Sequence, residues 1–224
     1  MVHVALPFGE VFFPPVSTAT EDGLLMLGGG LSPPWLIEAY QRGIFPWPLL
    51  TEYGPMLAWF SPDPRAILEL DDFHVSHRLA RRIRSHRYRV TWNTCFAEVV
   101  AGCAEPRGGE AGTWITPQLA EAYQRLHTLG IAQSVEVWRE DQLVGGLYGV
   151  VLGGFFSGES MFHRDRDASK IALAALVDRL RMGGCDLFDI QQWTPHLASL
   201  GACEISRDEY LRRLQRAISA RSCL

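Results

Sequence analysis

Hydrophobic and polar positions fall into two regimes along this chain. From about residue 93 onward the spacing is regular and switches between the 3.6-residue period of helices and the two-residue period of strands. Phe96, Val99 and Val100 mark a first helix, with Asn93 as its expected cap. Thr116-Pro117 opens a second, which turns Leu119, Ala122, Tyr123, Leu126 and Leu129 inward and stops at Gly130. Three strands are predicted over 134–138, 143–151 and 155–162, separated by Asp141-Gln142 and Gly153-Gly154. Leu173, Leu176, Val177 and Leu180 then repeat at i, i+3, i+4, i+7 in a helix that Gly183-Gly184 ends. A strand over 185–190 and a last helix opened by the capping box Ser206/Glu209 complete the pattern.

The first 65 residues are different, being rich in proline, glycine and aromatics. Their one clear helix has Ser32 as N-cap, Pro33 at the first position and Gly43 as the stop. An arginine-rich helix over 75–85 and a short strand over 88–91 join the two regimes. A small N-terminal α/β domain over 1–65 followed by a larger domain over 66–224 is therefore expected.

Composition adds bounds. The 224 residues are 47% hydrophobic and 21% charged, enough apolar surface for a core and too little charge for a disordered chain. The N-terminus, Met1-Val2-His3-Val4-Ala5-Leu6-Pro7, has neither a basic region nor an apolar one, so no signal peptide is read. The longest apolar run, 143–156, is short of the roughly 20 residues a membrane helix needs. Five cysteines without a C-x-x-C pair point to free thiols in a reducing compartment. Together these predict a cytoplasmic protein with no membrane partner.

The net charge of −4 gives no global sign of nucleic acid, but its distribution does. Residues 74–89 hold Arg78, Arg81, Arg82, Arg84, Arg87 and Arg89 with three histidines and no acid. Such a stripe is either a solvated helix face or a phosphate-binding surface, and the absence of alternating sign favours the second.

Two short segments carry candidate chemistry. In Phe156-Ser157-Gly158-Glu159-Ser160-Met161-Phe162, Gly158 lets a ligand approach the backbone, and Glu159 is an acid in an otherwise apolar strand. Glu159 is either a functional group or a surface residue at a strand end. In Phe188-Asp189-Ile190-Gln191, strand alternation places Asp189 and Gln191 on one face, as an orienting or proton-handling pair or as a solvated strand end. Trp47 and Trp114, both in loops, are candidates for stacking on a base.

The order of elements after residue 93 resembles the α+β core of the GNAT superfamily, a mixed sheet flanked by helices. Ordered strings then narrow the resemblance. Gly28-Gly29-Gly30-Leu31-Ser32-Pro33, Tyr40-Gln41-Arg42-Gly43-Ile44-Phe45-Pro46-Trp47 and Trp59-Phe60-Ser61-Pro62-Asp63-Pro64-Arg65 are similar to the leucyl/phenylalanyl-tRNA–protein transferases. So are Gly112-Thr113-Trp114-Ile115-Thr116, Gly158-Glu159-Ser160-Met161-Phe162 and Ser199-Leu200-Gly201-Ala202-Cys203-Glu204.

That resemblance implies transfer of Leu, Phe or Met from aminoacyl-tRNA to the N-terminal Arg or Lys of an acceptor protein, marking it for N-end rule degradation. It implies a monomer that needs no metal or cofactor, because the aminoacyl ester is already activated. Asp189 and Gln191 would assist the attacking amine. Trp47, Trp114, Gly158, Glu159 and His196 would hold the aminoacyl-adenosine. Leu147, Phe156, Met161, Leu173, Leu176, Leu180 and Phe188 would form the side-chain pocket, while Arg78, Arg81, Arg82 and Arg84 receive tRNA phosphates. The rival is an acetyl-CoA-dependent N-acetyltransferase. It is disfavoured because the turn over 163–170 has no glycine to cradle a pyrophosphate and carries two aspartates.

Overall fold

Two larger sheets and a two-stranded hairpin form among the described residues, and the change from one larger sheet to the other falls between Phe60 and Arg65. The computed structural model describes residues 3–5 (backbone only), 10–52, 54–106 and 113–224. Gly112 of the Trp114 motif and most of the N-terminal stretch read for a signal peptide lie outside the described residues.

The N-terminal part contains β1 (His3–Ala5), β2 (Leu24–Gly28), α1 (Pro33–Gln41), β3 (Phe45–Pro46), β4 (Leu49–Thr51), β5 (Gly54–Met56) and β6 (Ala58–Phe60). β1, β2, β6 and β3 form one sheet in that order, and β4 pairs with β5 in a separate hairpin. Helix α1 starts at Pro33 after Ser32, as expected. It ends before Gly43, whose φ of 72° turns the chain back. A Cβ at Gly43 would come within 2.9 Å of Tyr210 and Leu211, so the same glycine admits the C-terminal helix.

The rest of the chain builds a seven-stranded sheet. Its elements are β7 (Arg65–Leu68), α2 (His77–Ile83), β8 (Arg89–Trp92), α3 (Phe96–Ala104), α4 (Pro117–Thr128), β9 (Ala132–Arg139), β10 (Gln142–Leu152) and β11 (Phe155–His163). Then come α5 (Ala168–Gly183), β12 (Leu187–Gln191), α6 (Pro195–Ala198), β13 (Ala202–Ile205) and α7 (Arg207–Ile218). The order is β13-β7-β12-β11-β10-β9-β8, and only β11 and β12 run parallel. The expected α+β architecture, a mixed sheet between helices with a helix-helix-meander-helix-strand order, is present. One core lies beneath α1, α3, α4 and α7; the other lies beneath α2 and α5.

Local signals read from sequence hold at most helix ends. Thr116 Oγ1 accepts from the Leu119 amide, and Ser206 Oγ from the Glu209 amide. Asn93 is a correction. It sits at φ 54° and uses its side chain on β9, where Oδ1 accepts from the Ser134 amide; α3 begins later, after Cys95.

The sheet also creates the cleft. β11 and β12 pair only from Phe155/Leu187 to Ser157/Asp189. Beyond that point β11 continues along β10, while β12 ends at Gln191 with a left-handed φ of 59°. Two parallel neighbours that separate mid-sheet leave a wedge between them, with Gly158 and Glu159 on one edge and Gln191 on the other.

Candidate active site

The wedge is a cleft of about 300 Å³. Its floor is apolar: Leu147 from β10, Met161 from β11, Leu173 and Leu176 from α5, and Phe188 from β12. Phe156 and Leu180, also expected there, do not line it. Both are fully buried, and Phe156 supports the floor by packing edge-on against Phe188 at 5.4 Å. Trp47 and Trp114 form the rim. Their rings already stack on each other, 4.9 Å apart at 14°, so no base fits between them and only an outer face of the pair is open to one.

At the deep end the strand alternation of β11 puts Ser157 and Glu159 on one side. Glu159 Oε2 accepts from Tyr123 Oη at 2.7 Å, and Oε1 accepts from Ser157 Oγ at 3.0 Å. Tyr123 spends its single proton on Glu159, so the contact of 2.9 Å with Tyr40 has Tyr40 as donor. Burial pushes both phenols well above their ordinary value, which keeps them donors. Glu159 keeps a face toward the cleft, but its carboxylate is enclosed by these groups. Burial therefore raises its pKa to about 7, against the opposing pull of the hydrogen bonds from Tyr123 and Ser157.

Gln191 closes the constellation. Its Nε2 donates to Ser157 Oγ at 2.7 Å and more weakly to Glu159 Oε1 at 3.5 Å. Both amide protons are thereby directed inward, and Oε1 is left without a donor among the described residues, available to a ligand N–H.

Asp189 does not join Gln191 in the cleft, contrary to the face expected from alternation. The strand is irregular between Asp189 and Gln191, and Asp189 turns to the other side. There it meets Arg65 at 2.9 Å (Nε to Oδ1) and 2.7 Å (Nη2 to Oδ2), with both side chains at most 1% exposed. Tyr210 Oη donates to Oδ2 at 2.9 Å, and the Gln191 amide donates to Oδ1 at 3.0 Å. The guanidinium lies between the rings of Phe45 (4.7 Å) and Tyr210 (4.6 Å) and donates to the Gly43 carbonyl. Burial works against its charge, and the Asp189 carboxylate more than reverses that, so Arg65 stays a cation. Asp189 thus reaches the cleft through the Gln191 backbone alone.

His196 lies on α6 beside a neighbouring cavity rather than in the cleft. The arginine stripe is α2 and its flank. Its lack of local acids is made good from elsewhere, since Asp167 pairs with Arg78 at 3.5 Å and Arg82 at 3.1 Å. Arg81 and Arg84 have no acidic partner among the described residues. Sequence reasoning missed Arg65, Tyr40, Tyr123 and Tyr210. The run Trp59 to Arg65 gave a motif but not a partner, because Arg65 and Asp189 are 124 positions apart.

The wedge of the mixed α+β sheet is thus an apolar cleft that ends at a carboxylate and an inward-held amide, a setting that suits acyl transfer to an amine. The comparisons with known proteins agree and are specific. The profile of the leucyl/phenylalanyl-tRNA protein transferases matches residues 67–215, and that of their N-terminal domain matches residues 29–63. Leucyl/phenylalanyl-tRNA–protein transferase of Stutzerimonas stutzeri is 50% identical over 92% of this chain and 90% of its own length. That of Aromatoleum aromaticum is 52% identical over 90% and 85%, and that of Escherichia coli O1:K1 is 50% identical over 94% and 89%. The chain belongs to the leucyl/phenylalanyl-tRNA–protein transferase family. Solved structures similar to it are distant. L-PGS from Bacillus licheniformis has a TM-score of 0.40 at 14% identity, covering 78% of this chain and 57% of its own. A GCN5-related N-acetyltransferase from Kribbella flavida has 0.41 at 10%, covering 81% and 65%.

Proposed function

We propose that this aminoacyltransferase takes Leu, Phe or Met from aminoacyl-tRNA and joins it to the N-terminal Arg or Lys of an acceptor protein. The observation that carries the donor preference is the cleft floor of Leu147, Met161, Leu173, Leu176 and Phe188, with no polar side chain among them. Such a floor rewards long apolar side chains and distinguishes them weakly from one another, since a methylene is worth about 1–3 kcal/mol.

The reaction needs little beyond placement. The acceptor's amine nitrogen attacks the ester carbonyl, the bond to the ribose oxygen breaks, and one proton passes from nitrogen to the leaving oxygen. Gln191 Oε1 receives an N–H of the attacking amine and orients its lone pair. Glu159 anchors the polar end of the aminoacyl group, and the Trp47/Trp114 pair offers a face to adenine. Asp189, held by Arg65 and Tyr210, is a positioning residue that fixes the left-handed turn at Gln191. Orientation of this kind accounts for most of what such an enzyme must supply. Arg81 on α2 and Arg84 just past its end receive tRNA backbone phosphates without reading sequence.

The setting that goes with this reading is a cytoplasmic monomer that marks acceptors for N-end rule degradation. Among the described residues no helix is long and apolar enough to cross a membrane. The test is transfer of labelled amino acid from leucyl-, phenylalanyl-, methionyl- and valyl-tRNA to a peptide beginning with Arg. The first three donors should react and the β-branched fourth should react at least about tenfold less well. Equal use of valyl-tRNA contradicts the assigned pocket.

A further inference from the structure

From the end of β11 to the first turn of α5 the chain carries charges of both signs in close succession: His163, Arg164, Asp165, Arg166, Asp167 and then Lys170. Folding separates them. Asp165 turns to Arg139 at 2.6 Å and to the Tyr88 hydroxyl, and Arg164 turns to Glu105 and the Leu143 carbonyl. Asp167 turns to Arg78 and Arg82 on α2. His163, Arg166 and Lys170 remain on the other side and meet His196 from α6 around a cavity of about 360 Å³. Asp167 is the acid on that wall, and two arginines already share its charge. None of the four basic groups has an acidic partner among the described residues.

Arg166 and Lys170 face the cavity with Asp167, already shared by two other arginines, as its acid, so the wall is positive and suits an anion. A second observation points the same way. Ser169 lines the cavity from the first turn of α5, and its hydroxyl opens onto the cavity instead of bonding within the protein. A hydroxyl that opens onto a basic cavity at the start of a 16-residue helix is placed to donate to an anionic oxygen. Burial, and then Lys170 and His163, hold His196 below its ordinary pKa.

The cavity's position selects the anion. It shares Met161 with the aminoacyl cleft, so the two open beside each other. The first charged group met when leaving an aminoacylated nucleoside is the phosphodiester that joins it to the preceding nucleotide. We propose that Lys170, Ser169, Arg166 and His163 form a subsite for the phosphodiester next to the terminal nucleoside of the donor. The subsite rests on the reading of the cleft as an aminoacyl-nucleoside site, and it explains the placement of the chain's single lysine, which the aminoacyl cleft leaves unused.

The test compares three leucyl donors: leucyl-adenosine, which has no phosphate, the leucyl ester of the trinucleotide CCA, and leucyl-tRNA. Lys170→Gln should raise KM for the two phosphate-bearing donors about tenfold. For leucyl-adenosine KM should change less than about twofold. The slope of log KM against log salt should fall by about 0.7 for the trinucleotide, one single-strand contact. Ser169→Ala should move KM in the same selective way. An equal change with all three donors, or no change with any, overturns the subsite. A thermal shift by acetyl-CoA that Lys170→Gln abolishes, without an effect on the trinucleotide, also overturns it, by assigning the anion to CoA. A wild type that uses none of the donors overturns the cleft reading and the subsite together; an active wild type with an indistinguishable Lys170→Gln overturns the subsite alone.

Discussion

Breaking the Arg65–Asp189 pair should cost more stability than losing both of its charges together would suggest from the single changes. Asp189 accepts four hydrogen bonds, from Arg65 Nε, Arg65 Nη2, Tyr210 Oη and the Gln191 amide. In Asp189→Leu the guanidinium stays between Phe45 and Tyr210 with only the Gly43 carbonyl and the Tyr210 hydroxyl to meet it. In Arg65→Met a buried carboxylate keeps two of its four donors. Removing one partner of a buried pair costs about 3–5 kcal/mol, a large part of a typical total of about 5–15 kcal/mol. The double variant has no stranded charge, so its loss should fall short of the summed single losses by at least about 2 kcal/mol. Urea unfolding followed by tryptophan fluorescence measures all four proteins. Additivity to within about 0.5 kcal/mol would refute the pair as described. A kinetic arm separates folding from function. Asp189→Asn, assayed at a temperature where it is folded, should lose about 10²-fold or more in kcat through misplacement of Gln191 and should move the pH profile to lower pH, because the Asp189 charge helps to raise Glu159.

Glu159 governs that profile. With its pKa near 7, kcat/KM should rise as pH passes through about 7 and the carboxylate ionises, and Glu159→Gln should lose this limb. Between about 4.5 and 7 the native protein holds a proton that the unfolded chain has released, so stability should fall as pH rises across that window. Chemical denaturation of Glu159→Gln should show no such slope. The hydrogen bond from Tyr123 lowers the pKa of Glu159, so Tyr123→Phe should move the limb to higher pH; an unmoved limb contradicts the network. A methyl group at Gly158 would lie 3.0 Å from Phe188 Cε2, so Gly158→Ala should crowd the floor and lower kcat/KM for phenylalanyl transfer more than for leucyl transfer.

The elements nearest the cleft were legible where local chemistry decides structure. Ser32-Pro33 and Gly43 bound α1, Thr116-Pro117 opens α4, and the apolar runs around Gly153-Gly154 make the β10–β11 hairpin. β7 and β13 were not legible. They are four residues each, and they form because they pair with one another and, for β7, with β12, partners that no local pattern announces. The placement of Asp189 was missed for a related reason. The two-residue period assumes a regular strand, and the irregularity before Gln191 sends the two side chains to opposite sides. The pocket floor was largely legible because α5 has a clean helical period. Phe156 and Leu180 were one layer too deep, a distinction that apolarity alone does not carry.

The central claim is tested most directly by the mass of the acceptor. A peptide beginning with Arg, incubated with the protein and leucyl-tRNA, should gain the mass of one leucyl residue at its N-terminus. The same peptide with an acetylated N-terminus should gain nothing, and Gln191→Ala should slow the addition by at least about 10²-fold. No mass gain on the Arg peptide with the wild type, or an equal gain on the acetylated one, would contradict the account.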